Sequence, residues 1–387
     1  MRTLLFTECV DYVGSACASF SGTKKYVSTG AVDIDHINEE DTEIIDYKGK
    51  PSRANLEVSP GDILFAKMQG TKKTLLIDQV LANHIYSTGF SAVRAKEGVL
   101  STRCLYHLLT SETFLAQKDK NCSGATQKAI TNAGLGKIVI QVPSIEEQDT
   151  VASQLDAIAD IISKRQQQLS ALDDLIKARF VETFGDPLLN PMNWQEKKLE
   201  EIADIVSGIT KGRKVQSTDL YEVPYMAVSN VKDGYIDWTT VKTILATQAE
   251  IEQYRLLPND VLMTEGGDPD KLGRGAIIHE PPSDCIHQNH IFRVRLDQSR
   301  ITPEYMEQYL QHQKAKRYFL GCAKQTTGIA SINMKQLRAL PMLMPPIALQ
   351  QEFVAFVAQI DKSKSVIQKS LDETQLLFDS LMQQYFG

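Results

Sequence analysis

Two patterns in this 387-residue sequence could do chemistry. The first is Cys285-x-His287-x-x-His290, with His279 upstream, the only cluster of metal-ligand character. Alternation along a strand places Cys285 and His287 on one face and His290 on the other, which suits a polar sheet edge better than a single tetrahedral zinc site. The second is a recurring loop that joins glycine to cations and amides. In the later half it occurs at residues 207–214 (SGITKGRK, with Lys211, Arg213 and Lys214), 266–275 (GGDPDKLGRG, with Lys271 and Arg274) and 324–328 (KQTTG, with Lys324, Gln325 and Thr326). In the earlier half it occurs at 21–25 (SGTKK, with Lys24 and Lys25), 67–73 (KMQGTKK, with Lys67, Gln69, Lys72 and Lys73) and 123–128 (SGATQK, with Gln127 and Lys128). Glycine lets backbone N–H groups approach phosphate, and Lys or Arg neutralises it. Gln69, Gln127, Gln325, Asn289 and Arg274 are residue types that hydrogen-bond base edges in pairs. The loops therefore predict a nucleic-acid surface in each half.

Catalytic motifs are missing. Residues 267–274 (GDPDKLGR) lack the Lys-Ser/Thr ending of a phosphate-binding P-loop, so no ATP-driven motor is encoded. Asn190-Pro191-Met192-Asn193 lacks the second proline and the aromatic that would stack an extrahelical adenine, and no glycine-rich S-adenosylmethionine turn accompanies it. No GxSxG nucleophile setting is present.

The loops must be positioned by something, and the chain repeats itself. Shifted by 202, residues 142–185 lie without gaps on 344–387, with Pro143/Pro345, Ile145/Ile347, Gln148/Gln350, Leu169/Leu371, Phe184/Phe386 and Gly185/Gly387 coincident. Upstream, residues 59–64 (SPGDIL) face 257–262 (LPNDVL), and 8–13 (ECVDYV) face 201–206 (EIADIV). Each half reads as a globular part followed by a long helix. Val151, Leu155, Ile158, Ile162, Leu169, Leu172 and Ile176 form a three-and-four seam interrupted by Arg165 and Arg179. Phe353, Val357, Ile360, Ile367, Leu371, Phe378 and Leu381 form another, interrupted by Lys364 and Thr374. Helices of about 35 residues, about 50 Å long, each need a partner for the apolar stripe, and mutual antiparallel packing supplies it. The polar seam positions then set the register.

The expected fold is α+β: two similar mixed globular domains, residues 1–142 and 187–344, separated by two long spacer helices, 143–186 and 345–387, packed as an antiparallel coiled coil with pseudo-two-fold repetition. Strand-like runs at 137–142, 291–296 and 338–344 and helical runs at 100–116 and 303–320 populate the globular parts.

The net charge of −6 excludes attachment to nucleic acid or membrane by bulk positive charge. The acidity lies in the helices, where residues 143–186 carry four basic and nine acidic side chains and 345–387 carry three and five. Glu146, Glu147, Asp149 and Asp156 offer an acidic outer face for docking. Six scattered cysteines without a CxxC fit reduced thiols, and residues 1–6 are too short for a signal peptide. With no apolar run of membrane length, a soluble cytoplasmic protein is expected.

The segments around the helices carry a family resemblance. Residues 136–148 (GKIVIQVPSIEEQ) and 337–350 (LRALPMLMPPIALQ) lead into the two helices, and Phe184-Gly185-Asp186-Pro187, followed by Asn190-Pro191 and Trp194, leads out of the first. With them the whole chain resembles the specificity subunit of type I restriction-modification systems, departing in having Leu349-Gln350 where the family often has Glu-Gln. The resemblance implies a non-catalytic scaffold for double-stranded DNA, each globular domain reading one half of a split, asymmetric site. It also implies two methyltransferase subunits and restriction/translocase subunits as partners, with S-adenosylmethionine, Mg and ATP bound by those partners and no cofactor on this chain. A related type II or phage-defence methylation system, or a structural coiled-coil protein, is the alternative.

Overall fold

The computed structural model describes residues 1–214, 219–267, 272–326 and 329–387. The chain divides into two compact units, Met1–Gln167 with Gln368–Gly387, and Gln168–Ile367. The architecture is mixed α and β, built twice on one plan.

In the first unit, Arg2–Leu5 pairs antiparallel with Val139–Val142, the strand that leads into the first long helix. An antiparallel sheet runs Val10–Tyr12, Phe90–Ala95, Ile63–Ala66 and Thr74–Leu76. A second sheet contains the parallel pair Lys24–Val27 and Ile85–Ser87. The second unit repeats each piece. Gln195–Lys198 pairs with Pro341–Met344 before the second long helix, and Ala203–Ser207, Ile291–Leu296, Val261–Thr264 and Gly275–Ile277 form the antiparallel sheet. Tyr221–Met226 runs parallel to Ile286–His287.

The repeated sequence segments are the repeated clasps of this plan. In SPGDIL the buried Asp62 accepts the Ser59 N–H at 2.8 Å and pairs with Arg94; in LPNDVL the buried Asp260 accepts the Leu257 N–H at 2.7 Å and pairs with Arg295. Glu8 accepts the Leu5 N–H at 2.7 Å, as Glu201 accepts that of Lys198 at 2.8 Å. One buried carboxylate paired with a hydrogen-bonded arginine anchors the ends of the inner strands of each antiparallel sheet, where unpaired it would be costly.

The helical run expected over 100–116 is two helices, Thr102–Thr110 and Glu112–Lys120, because Ser111 adopts an extended conformation and caps the second through the Phe114 N–H. His312 breaks 303–320 in the same way, its Nδ1 accepting the Lys314 N–H between Pro303–Gln311 and Gln313–Cys322. The extended run expected over 338–344 begins later, since Met334–Arg338 is helical, capped by Asn333 and Gln336.

The long helices, Ile145–Phe184 and Ile347–Phe386, are 40 residues each. Both carry a buried glutamine in the first turn. The Ser101 N–H donates to Gln148 Oε1 at 2.7 Å, and Gln148 Nε2 donates to the Val99 and Pro143 carbonyls. The Thr302 N–H donates to Gln350 Oε1 at 2.9 Å, and Gln350 Nε2 donates to the Arg300 and Pro345 carbonyls. The glutamine of the repeated P-x-I-x-x-Q thus ties each helix to the turn before a short helix of the globular part.

Within each unit, segments of the two long helices pair antiparallel. In the first unit, Arg165 bonds to the Ser370 carbonyl at 2.6 Å and to the Thr374 hydroxyl, so two of the polar seam residues meet. In the second, Lys364 reaches Asp173 at 2.6 Å, Arg179 lies over the Phe356 ring, and Phe184 stacks edge-on against Phe353. Phe184 and Phe386 are buried equivalents: the first helix ends in the core of the second unit with Tyr305, and the second helix ends in the core of the first with Leu155 and Met382. The exit of the first helix follows from Gly185, at φ +76°, where a Cβ would lie 2.6 Å from Pro191; Trp194 Nε1 then donates to the Phe184 carbonyl.

Replacing Gln350 by Leu strands one N–H and two carbonyls and is expected to destabilise its unit by about 2–3 kcal/mol. Both tryptophans, Trp194 and Trp238, lie in the second unit, so denaturant unfolding followed by tryptophan fluorescence measures the loss directly.

Candidate nucleic-acid interface

In the first unit the ends of the central strands bring the loops together. The Lys67 N–H donates to the Gly89 carbonyl at 2.9 Å, and the Lys67 carbonyl accepts the Ile130 N–H at 2.9 Å. The Gln69 N–H reaches the Lys128 carbonyl at 3.0 Å. Loops 67–73 and 123–130 therefore form one surface, with Gln127 and Lys128 exposed on it. Lys67 Nζ bonds to the Thr88 carbonyl and Lys73 Nζ to that of Thr29, while burial pushes the Lys67 ammonium down. Lys72 is paired with Glu112. Lys24 and Lys25 hold local carboxylates instead, Glu57 at 3.1 Å and Glu39, with Lys24 also over the Phe20 ring.

Beneath this surface lies a lysine that sequence reasoning missed. Lys118 is buried, and its Nζ donates to the carbonyls of Met68 at 3.2 Å and Thr71 at 2.7 Å. Burial lowers its basicity and Asp119 opposes that. The signal was available: Lys118 stands four residues after Phe114 on the inward face of its helix, where an apolar residue belongs.

The second unit assembles the equivalent surface from the equivalent bonds. The Glu265 N–H donates to the His290 carbonyl at 3.0 Å, and the Glu265 carbonyl accepts the Ile332 N–H at 2.8 Å. Gly266–Gly267 pairs with Ile329–Ser331, which pairs with Lys324–Thr326, so the backbones of Gln325 and Thr326 sit in a hairpin beside Glu265. Segment 207–211 joins through the Ile209 N–H to the His287 carbonyl and the Asn289 N–H to the Ile209 carbonyl, both at 3.0 Å. Gly208 makes this approach possible, because a Cβ there would lie 1.9 Å from the His287 carbonyl oxygen. Lys211, Lys214 and Lys324 are exposed. Arg274 is half-buried and its Nε has no hydrogen-bond partner among the described residues. Lys271 lies outside the described residues. Arg213 is committed elsewhere, gripping Glu250 with two hydrogen bonds of 2.6 and 2.7 Å that hold the Glu250 carboxyl down to about 2.

The cysteine-histidine pattern separates. Cys285 and His287 are buried, and His287 Nδ1 lies 3.1 Å from the Ile291 carbonyl, its basicity pushed down to about 4 by burial. His290 is exposed and its Nδ1 contacts Glu265. Glu265 was not singled out from sequence, although it stands five residues after Asp260 as Lys67 stands five after Asp62.

A polar cleft of about 760 Å³ in the second unit is lined by Asp233, Trp238, Glu307, Asp361 and Lys364, among others. Its carboxylates repel phosphate, which separates it from the nucleic-acid surface. On the helices, Asp156 of the expected acidic face is engaged by Arg103 and the buried His107, and Glu147 caps its own helix through Ser144.

The chain matches the family described as Type I restriction modification DNA specificity domain at residues 14–171 and 191–374. It is 22% identical over 344 residues to the type I restriction enzyme EcoKI specificity subunit of Escherichia coli K12, covering 84% of this chain and 73% of that one. It is 24% identical over 345 residues to the StySPI specificity subunit of Salmonella potsdam, with the same shares covered. Among solved structures, the S subunit of a type I restriction-modification system from M. genitalium superposes with a TM-score of 0.57 at 14% identity, over 100% of this chain and 96% of that chain. A chain from a study of complex assembly in the type I system gives 0.57 at 20% identity, over 99% and 97%. These two likenesses show the fold.

Two outcomes check the anchor beneath the loops and the cleft. Lys118→Met leaves the Met68 and Thr71 carbonyls unmatched, so hydrogen exchange in residues 67–73 speeds up and the first unit loses about 1–3 kcal/mol. Burial raises the Glu307 carboxyl from 4.5 to about 7, so its contribution to stability is full below pH 4.5 and is lost as pH rises through 7. Between pH 5 and pH 8 the unfolding midpoint of the wild type is therefore expected to fall more than that of Glu307→Gln.

Proposed function

The chain belongs to the type I restriction-modification DNA specificity family, and we propose that it is the DNA-reading subunit of such a complex, recognising a bipartite, asymmetric duplex site. The observation that carries this reading is the pair of loop surfaces held by identical backbone bonds, at Lys67 in the first unit and Glu265 in the second, with different side chains presented on each. The same scaffold used twice gives two reading heads, and unlike side chains give unlike half-sites. Phosphate contacts from Lys128, Lys211, Lys214 and Lys324 position the heads, while the amides read bases. Residues 1–142 and 187–344 are the two recognition domains. The paired helices fix which half-site spacings both can contact at once, since effective concentration collapses when geometry forbids simultaneous binding.

Two methyltransferase subunits and restriction/translocase subunits are the proposed partners, and S-adenosylmethionine, Mg and ATP belong to them. This chain acts by binding and is not itself an enzyme. Exposed apolar side chains on the long helices, including Ile161, Leu175, Val366 and Leu376, support partner docking there. Among the described residues no helix is long and apolar enough to cross a membrane. We place the complex in the cytoplasm, where its DNA is.

The test is coexpression of the chain with its methyltransferase subunit in a methylation-free bacterium, with genome-wide mapping of modified adenines. A split motif that requires both proteins, and of which only one half changes when residues 1–142 are exchanged for those of a relative, is expected. A soluble complex that methylates nothing, or an exchange that alters both halves, overturns the reading. Purified, the complex should lose DNA affinity with salt at a logarithmic slope of about −0.9 per phosphate contacted.

A further inference from the structure

Resting on the DNA-reading role above, we propose that Asn289 reads an adenine in the half-site of the second unit and that Glu265 and His290 are positioning residues that set which way its amide faces. A carboxylate on a surface meant for a polyanion is repelled by phosphate, so Glu265 calls for a local reason. Its side chain contacts His290 Nδ1. In the tautomer that donates to Glu265 through Nδ1–H, Nε2 carries the lone pair and accepts, which fits the amide nitrogen beside it.

Asn289 Nδ2 lies 3.4 Å from that Nε2. An amide is otherwise free to flip, and only its network decides the direction. Facing a lone pair, the Asn289 nitrogen turns toward His290 and Oδ1 turns away from it. The remaining N–H and the carbonyl oxygen then match the edge of adenine, Oδ1 accepting from N6 and Nδ2 donating to N7. The Asn289 backbone is held on both sides: its N–H donates to the Ile209 carbonyl at 3.0 Å, and its carbonyl accepts the Ser207 hydroxyl at 2.5 Å. All three side chains are at least partly exposed.

The first unit lacks this device. Gly89 stands where His290 does, accepting the same backbone bond, so Thr88 takes the place of Asn289 and its carbonyl is occupied by Lys67 Nζ. This positioning device therefore serves one half-site only.

The experiment repeats the methylation mapping with the full chain and its methyltransferase subunit, using Asn289→Asp, Glu265→Gln and His290→Ala. Competition binding by the purified complexes, against duplexes with each base at every position of the second half-site, reads the same preference independently of methylation. The expected result is adenine at one position of that half-site for the wild type. Asn289→Asp, able only to accept, moves the preference at that position toward cytosine. Glu265→Gln and His290→Ala cut the discrimination there about tenfold, and all three leave the first half-site unchanged. Wild-type base preferences throughout the second half-site in all three variants, even with binding uniformly weakened, overturn the proposal. So does an equal loss of preference in both halves. A cytosine shift in Asn289→Asp with no broadening in the other two overturns the positioning role. A wild-type complex with no split motif instead defeats the functional reading beneath it.

Discussion

A primary amide shut away from water has donors and an acceptor that only the protein can match, and leaving them unmatched is costly enough to fix the backbone around them. Gln148 and Gln350 are such groups, each fully buried at the head of a 40-residue helix. Each gathers the proline carbonyl that precedes its own helix and two backbone groups of the turn that opens a short helix of the globular part. The direction in which each long helix leaves its unit follows from that clasp. So does the pairing of the strand just before the helix with the strand that opens the unit.

Around the clasps the units agree, and toward the loops they diverge. Asp62 with Arg94 and Asp260 with Arg295 are the same device. Seven residues past each helix cap, however, the first unit has Lys118 bonded to loop carbonyls and the second has Phe319 packed beneath Gly273. The loop above is held by charge in one case and by apolar contact in the other. Lys67 and Glu265 show the same divergence one layer out: identical backbone bonds, opposite side-chain charge. A scaffold whose backbone bonds do not depend on loop side chains can vary those side chains without refolding, which suits a reader of different sequences.

The plan of the fold was legible because it rests on repetition and periodicity. The coincidence of Gln148 with Gln350 and of Phe184 with Phe386 marked two equivalent helices, and the polar seam residues Arg165 and Thr374 do meet. The helix breaks at Ser111 and His312 were not seen, since a single capping residue within an apolar run leaves the 3.6-residue period almost intact. At the site, composition could point to loops but not to the use of each cation. Arg213 and Lys24 have the same local context as Lys211 and Lys128, yet their carboxylate partners lie 37 and 33 residues away along the chain. Glu265 was hidden because an acid in such a loop has no visible purpose until the histidine it contacts is known.

The crossing of the helix ends has a consequence for synthesis. The core of the first unit takes in Met382 and Phe386, which leave the ribosome long after Gln167. At 5–20 residues per second the nascent first unit waits roughly 10–45 s with that part of its apolar core uncovered. The second unit has no such delay, because residues 168–367 are contiguous. Translation order thus makes the first half of the chain the one exposed to chaperones and proteases, and it ties the completion of the first half to the arrival of the last helical turns.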